Sequence, residues 1–266
     1  MFVRAFILAL AVAVAAPAIA IVNGQSPTVQ DRRFDAVGAF AVTWRLGLDP
    51  TNPDPATGDH NWYCAATLTG PATIHTAKHC VDSYGASAPH AVRFRRALDG
   101  SVGTVEAGVA SFYHMRVVSW AFPGGDVAIG TLEATVPHIV PIAALDADAW
   151  ALIVGRPIAQ VAWGKEGPGP GAGVPRRMMV CYGPIVGWVS DLVLFPSAWS
   201  APGACGINNN DSGGAVIVTT IIDRQVTLFL LGIIYGYDEV RGSATRPVVY
   251  VAPRLPPSVN SWPSDS

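Results

Sequence analysis

Short apolar segments separated by turns run through most of this chain, and they constrain its fold more than any other feature. Residues 62–68, 158–163 and 215–220 have the length and the β-branched or aromatic content of strands. The 27 glycines and 22 prolines are scattered in short groups along the chain, where they favour turns. No segment keeps an i, i+3, i+4, i+7 apolar pattern over three helical turns. The sequence therefore predicts an all-β protein with many short strands in two halves.

The first 20 residues have the pattern of a secretory signal peptide. Arg4 precedes an unbroken apolar run over residues 5–16, and Ala-Ile-Ala at 18–20 fits a cleavage site. A membrane anchor is the alternative, but no basic stop-transfer flank follows the apolar run. We therefore expect residues 1–20 to be removed and residues 21–266 to be secreted, into the medium or the periplasm, without further membrane contact.

Charge and composition exclude several classes of function. Hydrophobic residues make up 50% and charged residues 14% of the chain, so there is material for a core and little sign of disorder. The formal net charge is −2, and the basic groups at 93–96 and 176–177 are short. Nucleic acid is therefore not an expected partner. The sequence contains no CxxC spacing, and we expect neither a metal nor a cofactor.

Export would make the four cysteines candidates for disulfide bonds. They are Cys64, Cys80, Cys181 and Cys205, and three pairings are possible. The two close pairs, 64–80 and 181–205, are the first expectation.

A serine between an aspartate and two glycines is the candidate reactive centre. Residues 208–215 read Asn-Asn-Asn-Asp-Ser-Gly-Gly-Ala, and an apolar run follows them. Glycines beside Ser212 permit a sharp turn and the close approach of a substrate. A serine nucleophile also needs a neutral histidine as base and a buried acid that orients it. Without those partners, Ser212 would lie in an ordinary surface turn.

His79 and Asp126 are the candidate partners of Ser212. His79 follows an apolar strand and precedes a cysteine, while Asp126 follows a Gly-Gly turn and precedes an apolar strand that would bury its carboxylate. Three histidines in polar or proline-flanked loops are expected to be solvated: His60, His90 and His138. Two in strands are expected to be core or face residues: His75 and His114.

These residues lie within motifs that resemble those of the trypsin/chymotrypsin-like serine endopeptidases. The matches lie, in the family's order, at Ile21-Val22-Asn23-Gly24, Thr76-Ala77-Lys78-His79-Cys80, Asp126-Val127-Ala128-Ile129, Trp163-Gly164 and Asp211-Ser212-Gly213-Gly214, with a weaker match at Pro247-Val248-Val249-Tyr250. The spacing of Cys64 and Cys80 also fits the family's disulfide beside the histidine. The motifs cover almost the whole chain after residue 20.

The resemblance implies two six-stranded antiparallel β-barrels with the active site in the cleft between them. The N-terminal barrel would lie at about 21–140 and the C-terminal barrel at about 155–252. Ser212 would be the nucleophile, His79 the general base and then acid, and Asp126 the orienting carboxylate. The expected partners are protein or peptide substrates, and the protein is expected to be a monomer.

Further site residues follow from the same resemblance. The backbone N–H groups of Asn210 and Ser212 would form the oxyanion hole, and Asp211 would pair with the α-amino group of Ile21. Asn210 stands where the family has glycine, and asparagine is the non-glycine residue that best tolerates left-handed backbone. The family's Ser-Trp-Gly segment appears at 234–236 as Ile-Tyr-Gly, or in a nearby register, which removes a hydroxyl expected to support the aspartate.

The specificity pocket would be lined by Gly206, Gly236 and Val248. No acid stands at its floor, and the branched Val248 would shorten it, so small or medium apolar residues are the expected preference. Two other functions remain open: a binding protein on the protease fold that has lost activity, and a lipase or esterase. The second requires a G-x-S-x-G elbow, and the segment at Ser212 lacks its leading glycine.

Overall fold

The structure is a computed structural model that describes residues 24, 25, 27, 31–42, 62–83, 85–88, 90–96, 111–145, 158–163, 178–185, 187–189, 192–195, 211–222, 224–238 and 242–247. A 3-10 turn at Arg32–Phe34 and a short helix, α1, at Lys78–Asp82 accompany the strands. The strands are β1 (Val37–Val42), β2 (Trp62–Gly70), β3 (Thr73–Ala77), β4 (His90–Arg96), β5 (Ser111–Gly124), β6 (Val127–Leu132), β7 (Ala143–Ala144), β8 (Ile158–Trp163), β9 (Met178–Gly183), β10 (Gly187–Val189), β11 (Leu192–Phe195), β12 (Ala215–Ile222), β13 (Gln225–Asp238) and β14 (Gly242–Pro247).

The first six strands close into an antiparallel barrel. Their order around the barrel is β1-β2-β3-β6-β5-β4, and β1 closes it by pairing with both β2 and β4. Buried apolar side chains such as Phe40, Leu68 and Ile74 fill this half of the molecule. The β5–β6 hairpin turns at Gly124 and Gly125, both at positive φ, a conformation that costs glycine little. This turn places Asp126 at the start of β6.

The strands from β8 onward form a second sheet in the order β10-β11-β14-β13-β12-β8-β9, with β7 parallel to β13. Every residue of β8 is buried, which explains why its sequence is apolar on both faces except for the buried Gln160. One face of β8 packs against the first barrel, where Trp163 Nε1 donates to Val37 O at 2.7 Å. The guanidinium of Arg93 lies 5.7 Å from the centre of the Trp163 ring.

The predicted fold class is confirmed. The described residues are mostly strand, with a closed six-stranded antiparallel barrel and a second sheet, which is consistent with the two-barrel architecture. No helix within the described residues is both long and apolar enough to cross a bilayer.

The expectation that His90 is a solvated loop residue is wrong. His90 begins β4 and is only 1% exposed. Its ring stacks on Phe40 at 5.3 Å and meets the ring of Trp120 edge to face. Packing between strands that are distant in sequence buries this histidine, and its position directly after a proline carries no sign of that.

Candidate active site

The turn that carries Ser212 is held from both halves of the molecule. Within the turn, Gly214 N donates to Asp211 O at 2.9 Å. On the side of the second sheet, Gly213 N donates to Ile234 O, and Ile234 N donates to Gly214 O. On the side of the first barrel, Ala65 N donates to Ser212 O at 2.8 Å. These backbone bonds fix the turn in place just before β12.

Gly213 is required where the turn meets the first barrel. Its φ is +81°, and a Cβ at this position would lie 2.0 Å from Ala65 O and 2.3 Å from Thr76 Oγ1. No side chain can occupy that space, and L residues also disfavour this backbone conformation. The glycine after Ser212 therefore permits the contact between the Ser212 turn and β2.

His79 lies in α1, directly after β3, and Asp126 holds it at two points. The β3–β6 ladder pairs Ala77 with Val127, which brings the two residues together. Asp126 Oδ1 accepts a hydrogen bond from His79 N at 2.9 Å, and Oδ2 lies 2.7 Å from His79 Nδ1. A carboxylate accepts hydrogen bonds, so Nδ1 carries the proton. The opposite ring nitrogen, Nε2, is then the atom that can accept a proton.

The exposure of the pair suits acid–base chemistry. The Asp126 side chain is 13% exposed, whereas that of His79 is 43% exposed, so the imidazole can be reached by a substrate while the acid is largely covered. In the described part of the chain, both hydrogen bonds to the Asp126 carboxylate come from His79. This agrees with the hydroxyl expected to be missing at residues 234–236.

Tyr235 contacts both candidate catalytic residues. Its ring lies 6.0 Å from the His79 ring in an edge-to-face arrangement, and its carbonyl oxygen accepts a hydrogen bond from Ser212 Oγ at 3.4 Å. Within the described residues, no hydrogen bond joins Ser212 Oγ to His79. Rotation about the Ser212 Cα–Cβ bond would redirect the hydroxyl, and catalytic hydrogen bonds often tighten only when substrate binds. No feature of the sequence indicated the contacts of Tyr235.

The predicted Cys64–Cys80 disulfide is confirmed, with a sequence separation of 16. Closing a loop of this length should stabilise the fold by about 3 kcal/mol on the chain-entropy argument. The bond links the residue before Ala65 to the residue after His79, so it also ties the two sides of the site together. The sulfur atoms and a His79 ring nitrogen lie within 4.8 Å of one another, but disulfide sulfurs are not the thiolates that bind metals.

The other predicted site residues are only partly within the described residues. Asp211 is fully buried, and Cys181 is disulfide-bonded. A Cβ added at Gly236 would meet no atom within 4 Å. Five predicted site residues lie outside the described residues: Ile21, Cys205, Gly206, Asn210 and Val248.

Comparison with known proteins adds an independent finding. The family model for trypsin matches residues 43–256, which is 214 of the 266 residues and includes all three candidate catalytic side chains. A search of curated proteins found no match. Since the match spans far more than half of its length, the chain belongs to the trypsin family.

Proposed function

We propose that this protein is a secreted serine endopeptidase that hydrolyses peptide bonds through Ser212, His79 and Asp126. The observation that carries the proposal is the His79–Asp126 pair. The carboxylate binds both the ring Nδ1 and the backbone N of the histidine, next to a serine turn fixed by backbone bonds from two sheets. Membership of the trypsin family supports the same chemistry.

The proposed reaction proceeds through an acyl-enzyme. Ser212 Oγ attacks the carbonyl carbon of the scissile bond and transfers its proton to His79 Nε2, while Asp126 stabilises the imidazolium. His79 then gives this proton to the leaving amine as the C–N bond breaks. A water molecule, deprotonated by the same nitrogen, attacks the ester, and the proton returns to Ser212 as the carboxylic acid product leaves.

The negative charge that develops on the carbonyl oxygen in the transition state must be stabilised by hydrogen-bond donors. The proposed donors are the backbone N–H groups of Ser212 and Asn210. No hydrogen bond within the described residues uses the Ser212 N–H, so this group is available for the oxyanion. Each such donor contributes about 2.7–4 kcal/mol to transition-state stabilisation.

We expect fluorophosphonate probes to label Ser212 in the secreted protein, because attack by an activated serine hydroxyl on phosphorus follows the same steps as acylation. Ser212→Ala should abolish labelling and lower kcat for peptide hydrolysis by about 10⁴-fold or more. Ser119→Ala, at an exposed serine of β5, is the matched control and should label as the wild type does. Mass spectrometry of the labelled peptide identifies the site. A folded wild-type protein that takes up no label would instead favour the binding protein without activity.

A preference for small or medium apolar residues is the proposed specificity, with Gly206, Gly236 and Val248 lining the pocket. The open space at Gly236 leaves room for a substrate side chain there, and a branched Val248 would limit its depth. Cleavage of a peptide library should therefore be enriched after residues such as alanine, valine and leucine. A profile dominated by arginine or lysine would contradict this specificity.

A further inference from the structure

The Ser212 turn enters the first barrel where β2 and β3 separate. The last ladder pair between these strands on this side joins Thr67 to His75. Two residues before Thr67, Ala65 pairs with Ala39 of β1 on one side. On its other side, Ala65 N donates to Ser212 O at 2.8 Å. The nucleophile turn therefore occupies the place of a strand partner for Ala65.

Thr76 completes this substitute for strand pairing. In an antiparallel ladder, a hydrogen-bonded residue exchanges both its N–H and its C=O with one partner. Here Ala65 gives its N–H to Ser212, and its C=O accepts the hydroxyl of Thr76, with Oγ1 2.7 Å from the oxygen. Both Ala65 and Thr76 are fully buried. The two backbone groups of Ala65 are thus bonded to residues from different halves of the molecule: Ser212 accepts from its N–H, and Thr76 donates to its C=O.

The turn rests directly on this hydrogen bond. The position of a Cβ on Gly213 is only 2.3 Å from Thr76 Oγ1 and 2.0 Å from Ala65 O, so nothing separates the glycine from the two oxygens. Thr76 also lies three residues before His79, at the end of the strand that leads to it. The side chain that meets the Ser212 turn therefore belongs to the strand that leads to His79.

We propose that Thr76 is a positioning residue for Ser212, an inference that rests on the proposed function. Its hydroxyl holds Ala65, and through Ala65 the Ser212 turn, at the distance from which the serine hydroxyl can rotate from Tyr235 O to His79 Nε2. Without the hydroxyl, the buried Ala65 O loses its donor and the turn can shift. Reaction depends on alignment to a fraction of an ångström, so a shift too small to unfold the protein lowers the rate.

Thr76→Val, which keeps the side-chain shape and removes the hydroxyl, is expected to lower kcat and the rate constant for fluorophosphonate labelling by about 10- to 100-fold. The KM for a peptide substrate should stay within about twofold, because the turn's position affects reaction more than binding. Thr76→Ser restores the hydroxyl and should remain within about threefold of the wild type. All rates are measured well below the unfolding temperature of each variant, on protein whose circular dichroism matches the wild type.

Thr69→Val is the control for a merely structural effect. Thr69 Oγ1 bonds to His75 Nδ1 at 2.8 Å and to Thr73 O at 3.4 Å, so this variant loses a hydroxyl between the same strands, away from the turn. It should lower the unfolding temperature and leave the labelling rate unchanged. A wild-type rate in Thr76→Val, or an equal loss in Thr69→Val, would overturn the positioning role.

The experiment also distinguishes a folding defect of the variant, and a failure of the proposed function, from a failure of the positioning role. If Thr76→Val does not fold, Thr76→Ala is compared with Thr76→Ser in the same way, and equal labelling rates in those two variants overturn the proposal. If the wild-type protein is not labelled, the proposed function itself fails and the inference falls with it. Labelled wild type with an unchanged rate in the hydroxyl-free variant removes the positioning role alone.

Discussion

Gly213→Ala is expected to abolish labelling of Ser212 and to destabilise the whole protein. The new Cβ would lie 2.0 Å from a backbone oxygen of β2, at a residue whose φ is +81°. Left-handed backbone costs an L residue about 1–2 kcal/mol, and forcing atoms into a packed site costs about 1–3 kcal/mol. The sum, less about 0.4–1 kcal/mol for the lower entropy of the unfolded chain, is about 1–5 kcal/mol, which can be a large part of the stability of a typical domain. Any relief of the clash must move the Ser212 turn away from β2.

Gly85 offers a matched control for this prediction. Its φ is +82°, nearly that of Gly213, but a Cβ there would meet nothing within 4 Å. Gly85→Ala therefore introduces the same backbone strain without the clash. The strain is partly offset by the lower entropy of the unfolded chain, about 0.4–1 kcal/mol, so the net cost should be about 1 kcal/mol.

The measurement is denaturant unfolding of both variants, together with the labelling rate of Ser212. Gly85→Ala should keep the wild-type labelling rate, and Gly213→Ala should lose labelling even in conditions where it is folded. Equal losses of stability in the two variants, with labelling retained in Gly213→Ala, would show that the contact with β2 is not what requires glycine.

The fold class could be predicted from the sequence because the most buried strands are recognisable from their own runs of apolar residues. The start of β12 is continuously apolar, and β8 is apolar at every residue but Gln160, since both faces of these strands are buried. β14 (Gly242–Pro247) and β11 (Leu192–Phe195) were not predicted as strands. β14 reads Gly-Ser-Ala-Thr-Arg-Pro, which has no apolar alternation, and it forms a strand because β13 and β11 pair with it on either side.

In the candidate site too, some contacts could be predicted from the sequence and others could not. His79 and Asp126 were predicted as partners from their motifs, and the structure brings them into contact through the β3–β6 ladder. The contact of Gly213 with Thr76 could not be predicted, because it depends on how closely a turn of one half approaches a strand of the other. Chain order and residue type indicate which groups are candidates for catalysis, whereas the approach of distant backbones is a property of the packed structure.

Two buried histidines of the first barrel should make the protein sensitive to acid. His75 is 9% exposed and His90 is 1% exposed. Burial disfavours the charged imidazolium, and it lowers the pKa of each histidine from the usual 6.5 to about 4. Trp120 Nε1 donates to His90 Nδ1 at 3.4 Å, so a proton added at Nδ1 would face another donor. Both histidines are therefore neutral in the folded protein near neutral pH.

The direction of the effect follows from proton binding. Between pH 6.5 and about 4, the unfolded chain binds a proton at each histidine that the folded protein does not bind. Stability therefore falls as the pH falls through this window, by about 1.4 kcal/mol per pH unit for each histidine near its middle. The hydrogen bond from Arg33 lowers the pKa of Asp31 from 3.8, so the stability contributed by Asp31 is lost only below that window.

The free energy of unfolding in urea, measured at several pH values between 5 and 6, tests this. His90→Asn removes one titrating group, and its amide oxygen can replace Nδ1 as the acceptor for Trp120. The variant should be less stable throughout, since the stack on Phe40 is lost, but its slope against pH should fall by about 1 kcal/mol per pH unit. The control is His138→Asn, at an exposed residue with a φ of 60° that asparagine tolerates; it should keep the wild-type slope. If His90→Asn also keeps that slope, burial of His90 is not a source of the acid sensitivity.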